Sequence, residues 1–441
     1  MGSARRAALT VLERCRRAGA WSDALLGSVL EQEGLNPRDR GLATAICYGV
    51  QQNRLLLDYV LASRSDRPLG RVEPKLLDLL RVSACQLMFF EKIPPSAAVN
   101  EAVKLCRELG YARAAGYVNA VLRRVAAAPG IPPELAGQGA EQLSIRTSHP
   151  LWLVEELFSY LDPAEAEALL EGNNRPAPLC MQTNILRADT PALLEALRGE
   201  GIAAEKNPVL PDCLTASSPG DFMKGAAFRD GLFYVQDAGA AFAVRAAEPS
   251  PGQRILDLCA APGGKSFAAA IRSGGGAEIT ACDKHANKLR RLDAGAERLG
   301  LSERITSVAA DGREPLAEWE GAFDLVLADV PCSGLGVIRK KPDVREKKPE
   351  DFLRLPGLQL SLLENAGRCL RPGGTLLYST CTFRREENGD VVGAFLERNP
   401  GFAPVDFASP WGDLSESGML QLWTTRQGTD CFFIAKLRKL P

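Results

Sequence analysis

Histidine is scarce in this 441-residue sequence, in which only His149 and His285 occur. So few imidazoles argue against Ser-His-Asp or Cys-His catalysis. The twelve cysteines form no C-x-x-C pair, so a Cys/His zinc site would have almost no ligands. We therefore expect no metal, and any general acid or base must be Asp, Glu, Lys or Cys.

Long apolar runs are also missing, and no segment reaches the length that crosses a bilayer. Charged residues interrupt the apolar positions of 1-MGSARRAALTVLERCRRAGAW-21, which does not read as a signal peptide. We expect a cytoplasmic protein with no membrane partner, in which most thiols are reduced. A chain of this length predicts two or three domains.

Charge is unevenly distributed along the chain. Residues 1–126 hold 19 Lys and Arg against 12 Asp and Glu, a net charge of +7 in a chain whose total is −1. A basic module joined to a nearly neutral body favours a polyanionic partner. On charge alone, a solvated surface explains the same excess equally well.

The first half of the chain predicts helices and then a small mixed unit. Apolar residues at helical spacing indicate an all-α domain over residues 1–126, and the segment 127-AAPGIPPELAGQG-139 ends it. Residues 140–235 predict short helices followed by a small α+β unit. Its predicted elements are a strand at 179–186, a helix at 191–201 and a strand at 231–235.

From residue 236 to 441, strands alternate with helices. This alternation indicates a doubly wound, largely parallel α/β sheet that binds ligands at the carboxyl ends of its strands. The predicted strands are 254–259, 278–283, 305–311, 324–329, 374–380, 419–425 and 431–437.

The first strand of this domain runs into the loop 257-DLCAAPGGKS-266. A P-loop is excluded because Cys259 stands where its first glycine is required, and the G-x-G-x-x-G spacing of dinucleotide sites is absent. What remains is a turn of small residues, with Asp283 and Asp311 ending the next two strands. This pattern favours S-adenosylmethionine, whose ribose and adenine would contact the two carboxylates. The alternative is that the aspartates merely cap helices.

Two later strands each deliver a thiol to the same predicted edge, in 326-VLADVPCSG-334 and 376-LLYSTCTF-383. Methylation of cytosine at C5 needs a thiolate that adds to C6, an acid at N3 and a further base. Asp329, Cys332 and Cys381 offer these groups. Inert buried cysteines and a Cys332–Cys381 redox pair are the alternatives, and chemistry alone leaves open which thiol is the nucleophile.

Over nearly its whole length the chain resembles the bacterial RsmB (Sun/Fmu) family of 16S ribosomal RNA cytosine-C5 methyltransferases. The resemblance implies a NusB-like RNA-binding domain at 1–126, linker helices with an RRM-like extension at 140–235, and a Rossmann-like class I methyltransferase domain at 236–441. The motifs that carry it are 38-RDRGLATAICYGVQQNR-54, 235-VQDAGA-240, 257-DLCAAPGGKS-266, 329-DVPCSGLGVIRKKPDVR-345 and 378-YSTCTFRREEN-388.

The resemblance also implies roles for individual residues. Cys381 would be the nucleophile, Cys332 would assist release of the product, and Asp329 would hydrogen-bond the N3 edge of cytosine. S-adenosyl-L-methionine would be bound by Cys259, Ala260, Ala261, Pro262, Gly263, Gly264, Lys265, Asp283, Asp311 and Asp329. Cys431 departs from the family, whose members usually have glycine there, and we expect it to be tolerated.

The implied partner is 16S ribosomal RNA, naked or early in assembly, modified by a monomer at a single position of the cytosine-967 type. The basic segment that contains Arg339 and Lys340 is expected to grip the RNA backbone, although a solvated loop would look the same. The alternatives are another ribosomal or transfer RNA site, a protein acceptor, or a non-catalytic RNA-binding factor.

Overall fold

The computed structural model describes residues 3–18, 23–216, 220–314 and 316–441. The chain divides into two compact units, Met1–Arg175 with Lys341–Lys347, and Pro176–Lys340 with Lys348–Pro441. The predicted division into three domains therefore stays a prediction. Across the described residues, none of the helices combines the length and the apolar character that a membrane span requires.

The first unit is all-α. Apolar side chains at helical spacing meet in one core, as Leu76, Leu79 and Leu80 do on one helix. That helix begins at Pro74, and the Glu73 carboxylate before it accepts from the Leu76 N–H at 3.0 Å. The helices are α1 (Ala4–Ala18), α2 (Asp23–Gln32), α3 (Pro37–Gln52), α4 (Arg54–Arg64), α5 (Pro74–Phe89), α6 (Pro95–Glu108), α7 (Ala115–Ala127), α8 (Ala140–Thr147), α9 (Leu151–Leu157) and α10 (Pro163–Gly172).

A distant segment, Lys341–Lys347, belongs to this helical unit. It contains a 3₁₀ turn over Pro342–Glu346, and the guanidinium of Arg345 is buried there. Arg345 donates to the carbonyl of Asn173 at 3.1 Å and to Oδ1 of Asn174 at 2.7 Å. Burial lowers the pKa of Arg345 to about 9. This arginine therefore fixes structure, although the sequence pattern places it in a basic surface segment.

The second unit begins with a small antiparallel sheet. Its strands lie in the order β2-β3-β1-β4, and helices α11 (Thr190–Gly199) and α12 (Ala226–Arg229) accompany them. The strands are β1 (Leu179–Thr183), β2 (Glu205–Lys206), β3 (Cys213–Ala216) and β4 (Phe233–Val235). β1 and β4 were predicted, whereas β2 and β3 were missed because Pro208 and Pro211 break the pattern between them.

The larger sheet follows the order β10-β12-β9-β8-β5-β6-β7, and β11 pairs with β12. β7, β6, β5, β8 and β9 run parallel, and β12 is antiparallel to β9. The strands are β5 (Arg254–Asp257), β6 (Glu278–Asp283), β7 (Ile305–Ala309), β8 (Phe323–Asp329), β9 (Leu370–Thr380), β10 (Phe402–Pro404), β11 (Met419–Leu422) and β12 (Phe432–Lys439).

The parallel strands are buried on both faces, as the paired residues Ile255 and Leu325 on one side and Leu256 and Val326 on the other show. Strand order reverses where β5 lies between β6 and β8, and crevices at such a reversal bind ligands. The accompanying helices are α13 (Ala238–Ala247), α14 (Gly264–Arg272), α15 (Ala286–Leu299), α16 (Leu355–Cys369), α17 (Gly389–Arg398) and α18 (Thr424–Gln427).

Candidate active site

The parallel strands bring their last residues to one edge of the large sheet. β5 ends at Asp257, β6 at Asp283 and β8 at Asp329, while Cys381 directly follows β9. Asp329 pairs in register with Ser379 of β9, two residues before that thiol. The structure thus gathers three predicted site residues at the edge where the reversal of strand order opens a crevice.

The loop after β5 forms a tight turn tied to β6. The Ala260 N–H donates to the Cys282 carbonyl at 2.8 Å, and the Ala261 N–H donates to the Asp283 carboxylate at 3.3 Å. Gly263 has a φ of +112°, and a Cβ there would lie 2.4 Å from the Phe267 ring. Only glycine fits this position. The turn delivers the chain into α14.

A cavity of about 210 Å³ opens beside this turn. Two buried acceptor atoms on its lining residues have no partner, Oε1 of Gln236 and Oδ1 of Asp257. Burial raises the pKa of Asp257 to about 7, although the Ser266 hydroxyl donates to its other oxygen at 2.7 Å. Unpartnered acceptors suit a ligand that carries positive charge and N–H groups. The lining residues are Val235, Gln236, Ala240, Asp257, Cys259, Ala260, Ala261, Pro262, Gly264, Lys265 and Asp329.

Asp283 and Asp311 lie at the same sheet edge but outside this lining. Asp283 accepts from the His285 N–H at 2.9 Å. Asp311 is paired with Lys284 at 3.1 Å and with Arg313, whose hydrogen bond holds the pKa of Asp311 well below its usual range. Their contacts to a ribose and an adenine stay predictions.

The alternative that these aspartates only cap helices is wrong. The residue at the N-terminal cap of α14 is Gly263, and that of α15 is His285. The 3₁₀ turn that follows Asp311 is capped by Leu316. The carboxylates of Asp283 and Asp311 instead order the short turns that follow their strands, by accepting from N–H groups two residues ahead.

Asp329 is fixed by two donors. Lys265 places its ammonium 2.6 Å from one carboxylate oxygen, and the Ser379 hydroxyl donates to the other at 2.8 Å. The same ammonium lies 5.0 Å from the centre of the Phe432 ring, a cation–π distance. The Asp329 side chain stays one-third exposed, at 33%. It is therefore an oriented acceptor that still faces open space.

The two predicted thiols meet. The sulfur of Cys332 lies 3.1 Å from that of Cys381, and both residues are partly exposed, whereas most cysteines of the chain are buried. A hydrogen bond with Cys381, burial, and the negative charges of Glu387 and Asp329 raise the pKa of Cys332 well above its ordinary value. Partial exposure distinguishes this pair from the buried cysteines of the core.

Comparisons with known proteins show the family to which the chain belongs. Residues 244–438 match the 16S rRNA methyltransferase RsmB/F family, residues 2–127 the NusB family, and residues 149–223 the ferredoxin-like domain of RsmF/B-like methyltransferases. The probable ribosomal RNA small subunit methyltransferase B of Bacillus subtilis is 36% identical over 99% of each chain. This chain belongs to the RsmB family.

Two further similarities support that membership. The ribosomal RNA small subunit methyltransferase B of Xylella fastidiosa strain 9a5c is 36% identical over 91% of this chain and 92% of its own. The crystal structure of PH0851 superposes with a TM-score of 0.83 at 25% identity and covers 99% of both chains. The resemblance drawn from the motifs is confirmed. So is the fold class, an all-α NusB-like domain, a small α+β unit and a C-terminal α/β methyltransferase domain.

Cys431, where we expected a departure from the RsmB family, lies directly before β12. Its sulfur is buried 3.6 Å from the Thr424 hydroxyl, and burial raises its pKa to about 11. The backbone of Cys431 is hydrogen-bonded to the Cys332 loop at Gly336. The Gly336 N–H donates to the Cys381 carbonyl at 2.9 Å, and the Cys431 N–H donates to the Gly336 carbonyl at 3.1 Å. A Cβ on Gly336 would lie 2.1 Å from the Cys431 carbonyl oxygen, so only glycine fits between them.

Arg339 and Lys340 are not the free surface cations that the basic segment suggested, and their contact with RNA stays a prediction. Lys340 lies 2.7 Å from Asp237 and 2.6 Å from Asp430, and Arg339 lies 3.7 Å from Asp430. Their side chains are only 11% and 33% exposed. The start of α13 and the turn before β12 bring in these carboxylates, so the two cations tie the Cys332 loop to both elements.

Sequence reasoning missed several residues of this site. Gln236 and Asp257 stand inside quoted motifs, yet their unpartnered oxygens follow only from the packing. Glu387 and Asn388 are the last two residues of the motif 378-YSTCTFRREEN-388, and both are buried. A sequence signal for them exists: a carboxylate and an amide follow shortly after the turn that carries Cys381. Such side chains are costly to bury, so their presence there indicates a specific role.

Proposed function

We propose that this member of the RsmB family transfers a methyl group from S-adenosylmethionine to C5 of a cytosine in 16S ribosomal RNA. We expect the target to be of the cytosine-967 type. The observation that carries the proposal is the pair of sulfurs 3.1 Å apart, beside a fixed carboxylate at the ends of β8 and β9. Methyl transfer to a more reactive acceptor, such as an amine, would need no thiol pair.

Cys381 adds as a thiolate to C6 of the cytosine, and C5 becomes a carbon nucleophile. Asp329 acts as the acid at N3: its carboxyl group passes a proton to that nitrogen, which takes up the electron pair that the addition at C6 displaces. Lys265 and Ser379 keep this carboxylate oriented. After methylation a base takes the C5 proton, the C6–sulfur bond breaks, and the Cys381 thiolate is restored. Cys332 assists that last step.

The 210 Å³ cavity supports methyl-donor binding at the turn after β5. The donor supplies a methyl group on a positively charged sulfonium and leaves as a neutral thioether. Gln236 and Asp257 offer acceptor atoms that lack partners in the described structure, which suits a ligand of this charge. The donor would contact the turn that carries Gly263, while Asp283 and Asp311 would hold its adenosine. The residues of this turn that line the cavity are Cys259, Ala260, Ala261, Pro262 and Gly264.

Two conditions would let ribosomal RNA bind at the site, extrusion of the target base and contacts to the RNA phosphates. The target base must leave its stack to contact a thiol at a sheet edge. The NusB-like residues 2–127 lie in a helical unit whose first 126 residues carry a net charge of +7, which favours phosphate contacts. We propose that the protein acts as a cytoplasmic monomer on naked or early RNA.

A covalent trap tests this function. Wild type, Cys332→Ala and Cys381→Ala are incubated with unmodified 16S RNA and S-adenosylmethionine and separated on denaturing gels. An RNA–protein adduct that accumulates only in Cys332→Ala is the expected result. Cys431→Ala is the matched control, because its thiol is buried against the Thr424 hydroxyl, and it should behave like wild type.

Each of the other outcomes leads to a different conclusion. An adduct that accumulates only in Cys381→Ala would exchange the roles of the thiols. Absence of any adduct, together with no methyl transfer by wild type, would exclude this substrate. Methyl transfer to another RNA by wild type would redirect the proposal to that RNA.

A further inference from the structure

A buried carboxylate sits behind the turn that carries Cys332. Glu387 is 0% exposed, and one of its oxygens, Oε2, accepts from the Ser333 N–H at 2.8 Å and from Nε2 of Gln359 at 3.0 Å. Its other oxygen, Oε1, has no partner. An incompletely paired buried carboxylate is costly, so packing alone does not account for a glutamate here.

Asn388, the residue after Glu387, fixes the turn that carries Cys381. Asn388 accepts from the Thr380 hydroxyl at 2.6 Å and donates to the Thr382 carbonyl at 3.1 Å, so it brackets Cys381 on both sides. The Ser333 hydroxyl also donates to the Thr382 hydroxyl at 2.8 Å, which joins the two turns. Adjacent residues of one short segment therefore fix both sulfurs. The charged residue of the two, Glu387, is bonded to the Cys332 turn.

We propose that Glu387 is a positioning residue that gives the two thiols different roles. Its carboxylate holds the Cys332 turn and places negative charge there, so the proton that the pair shares stays on Cys332 and Cys381 is the thiolate. This inference rests on the proposed function and deepens it, because sequence chemistry left the assignment of the nucleophile open.

Two ionisable groups this close do not both ionise readily. The pair releases its first proton to solvent, and the second remains as the S–H of Cys332, which donates to the sulfur of Cys381 at 3.1 Å. Both carboxylates that act on Cys332, Glu387 and Asp329, disfavour negative charge on its sulfur. The cation Lys265 is bound to Asp329.

One cation, Arg384, follows Cys381 by three residues and lies 3.6 Å from Glu386, and two neutral polar groups lie near the Cys332 turn. The Tyr378 hydroxyl donates to the backbone carbonyl of Glu387 at 2.6 Å, and Gln359 is an amide. The same arrangement explains a role in release. When the C6–sulfur bond breaks, the leaving thiolate of Cys381 accepts a hydrogen bond from the S–H of Cys332, and this bond stabilises the negative charge on Cys381.

The variant Glu387→Gln removes the charge and little else. Ser333 and Gln359 both donate to the same oxygen, so the amide oxygen of glutamine can keep both hydrogen bonds. Glu386→Gln is the matched control, because it removes the same charge from the exposed neighbouring residue. Iodoacetamide alkylation of each thiol is followed by mass spectrometry as a function of pH, on full-length protein without RNA or S-adenosylmethionine.

In wild type, Cys381 should be alkylated at lower pH than Cys332. In Glu387→Gln the alkylation midpoint of Cys332 should fall by roughly one pH unit, and the preference for Cys381 should shrink about tenfold. Glu386→Gln should match wild type. If Cys332 reacts first in wild type, or if Glu387→Gln leaves both midpoints unchanged, the inference is overturned.

This test separates the inference from the function. Alkylation needs neither RNA nor methyl donor, so a wild type that fails to methylate 16S RNA refutes the proposed function and leaves the alkylation order measurable. Normal methylation with unchanged alkylation midpoints refutes only the role of Glu387. If the glutamine variant does not fold, a wild type in which Cys332 reacts before Cys381 still overturns the inference.

Discussion

The buried carboxyl of Asp257 gives the structure its sharpest prediction about pH. Asp257 is fully buried at the end of β5, one oxygen accepts from the Ser266 hydroxyl at 2.7 Å, and the other has no partner. Burial, the largest effect, raises its pKa from 3.8 to about 7. Folding must therefore tolerate a poorly paired charge whenever the pH exceeds that value.

The sign follows from linkage. Because the folded pKa is raised, the stabilising contribution of the protonated group is fully present below about pH 4 and is lost as the pH rises through about 7. A difference of about three pKa units corresponds to roughly 4 kcal/mol. Asp257→Asn removes this charge but buries an N–H₂ without an acceptor, which costs roughly 1–3 kcal/mol.

The two effects predict a change of sign with pH. At pH 8.5 Asp257→Asn should be more stable than wild type by roughly 1–3 kcal/mol, and below about pH 4 it should be less stable by a similar amount. Urea unfolding, followed by hydrogen exchange of the peptides that contain β5, measures the stability of the second unit at each pH. Asp293→Asn, at an exposed position on α15, is the control and should show no such crossing. A stability difference that is independent of pH would refute the reasoning.

Two other substitutions test the loop between the thiol and the ion pairs. Gly336→Ala should slow adduct formation at least tenfold and leave donor affinity unchanged, because its Cβ would lie 2.1 Å from a backbone oxygen. The control is Gly393→Ala, where nothing lies within 4 Å of the added Cβ, and it should form the adduct at the wild-type rate in the gel assay. Lys340→Met should destabilise the second unit by about 3 kcal/mol in urea, because two buried carboxylates lose their cation. The exposed neighbour Lys341→Met should change stability by less than about 0.5 kcal/mol, and equal effects of the two would exclude the ion-pair explanation.

Local patterns were enough to predict the parallel sheet and its reactive edge. Strands buried on both faces alternate with helices, and parallel strands must present their carboxyl ends together. Asp329 and the two thiols therefore converge, as the ends of β8 and β9 predict. Their 3.1 Å separation depends on the adjacency and register of those two strands, which no local pattern specifies.

The mistakes arose where partners are distant in sequence. Lys340 and its two carboxylates are 103 and 90 residues apart, so a basic run looked like a surface feature. Arg345 is similar, because the carbonyl and amide oxygens that accept from it lie about 170 residues earlier. Composition predicts where charge lies along the chain, but only packing decides whether that charge meets solvent or a carboxylate.

Three buried acceptor atoms without a partner lie at one edge of the large sheet, and their location argues for an active enzyme. Gln236, Asp257 and Glu387 each bury an oxygen without a partner, and such atoms are rare in folded proteins. A vestigial domain would gain stability by replacing them. If the site is functional, Asp257→Asn should therefore weaken S-adenosylmethionine binding about tenfold in calorimetry while stabilising the fold at pH 8.5. Stabilisation without loss of donor affinity would show that Asp257 does not contact the donor, whereas failure of wild type to bind S-adenosylmethionine would favour a non-catalytic RNA-binding factor.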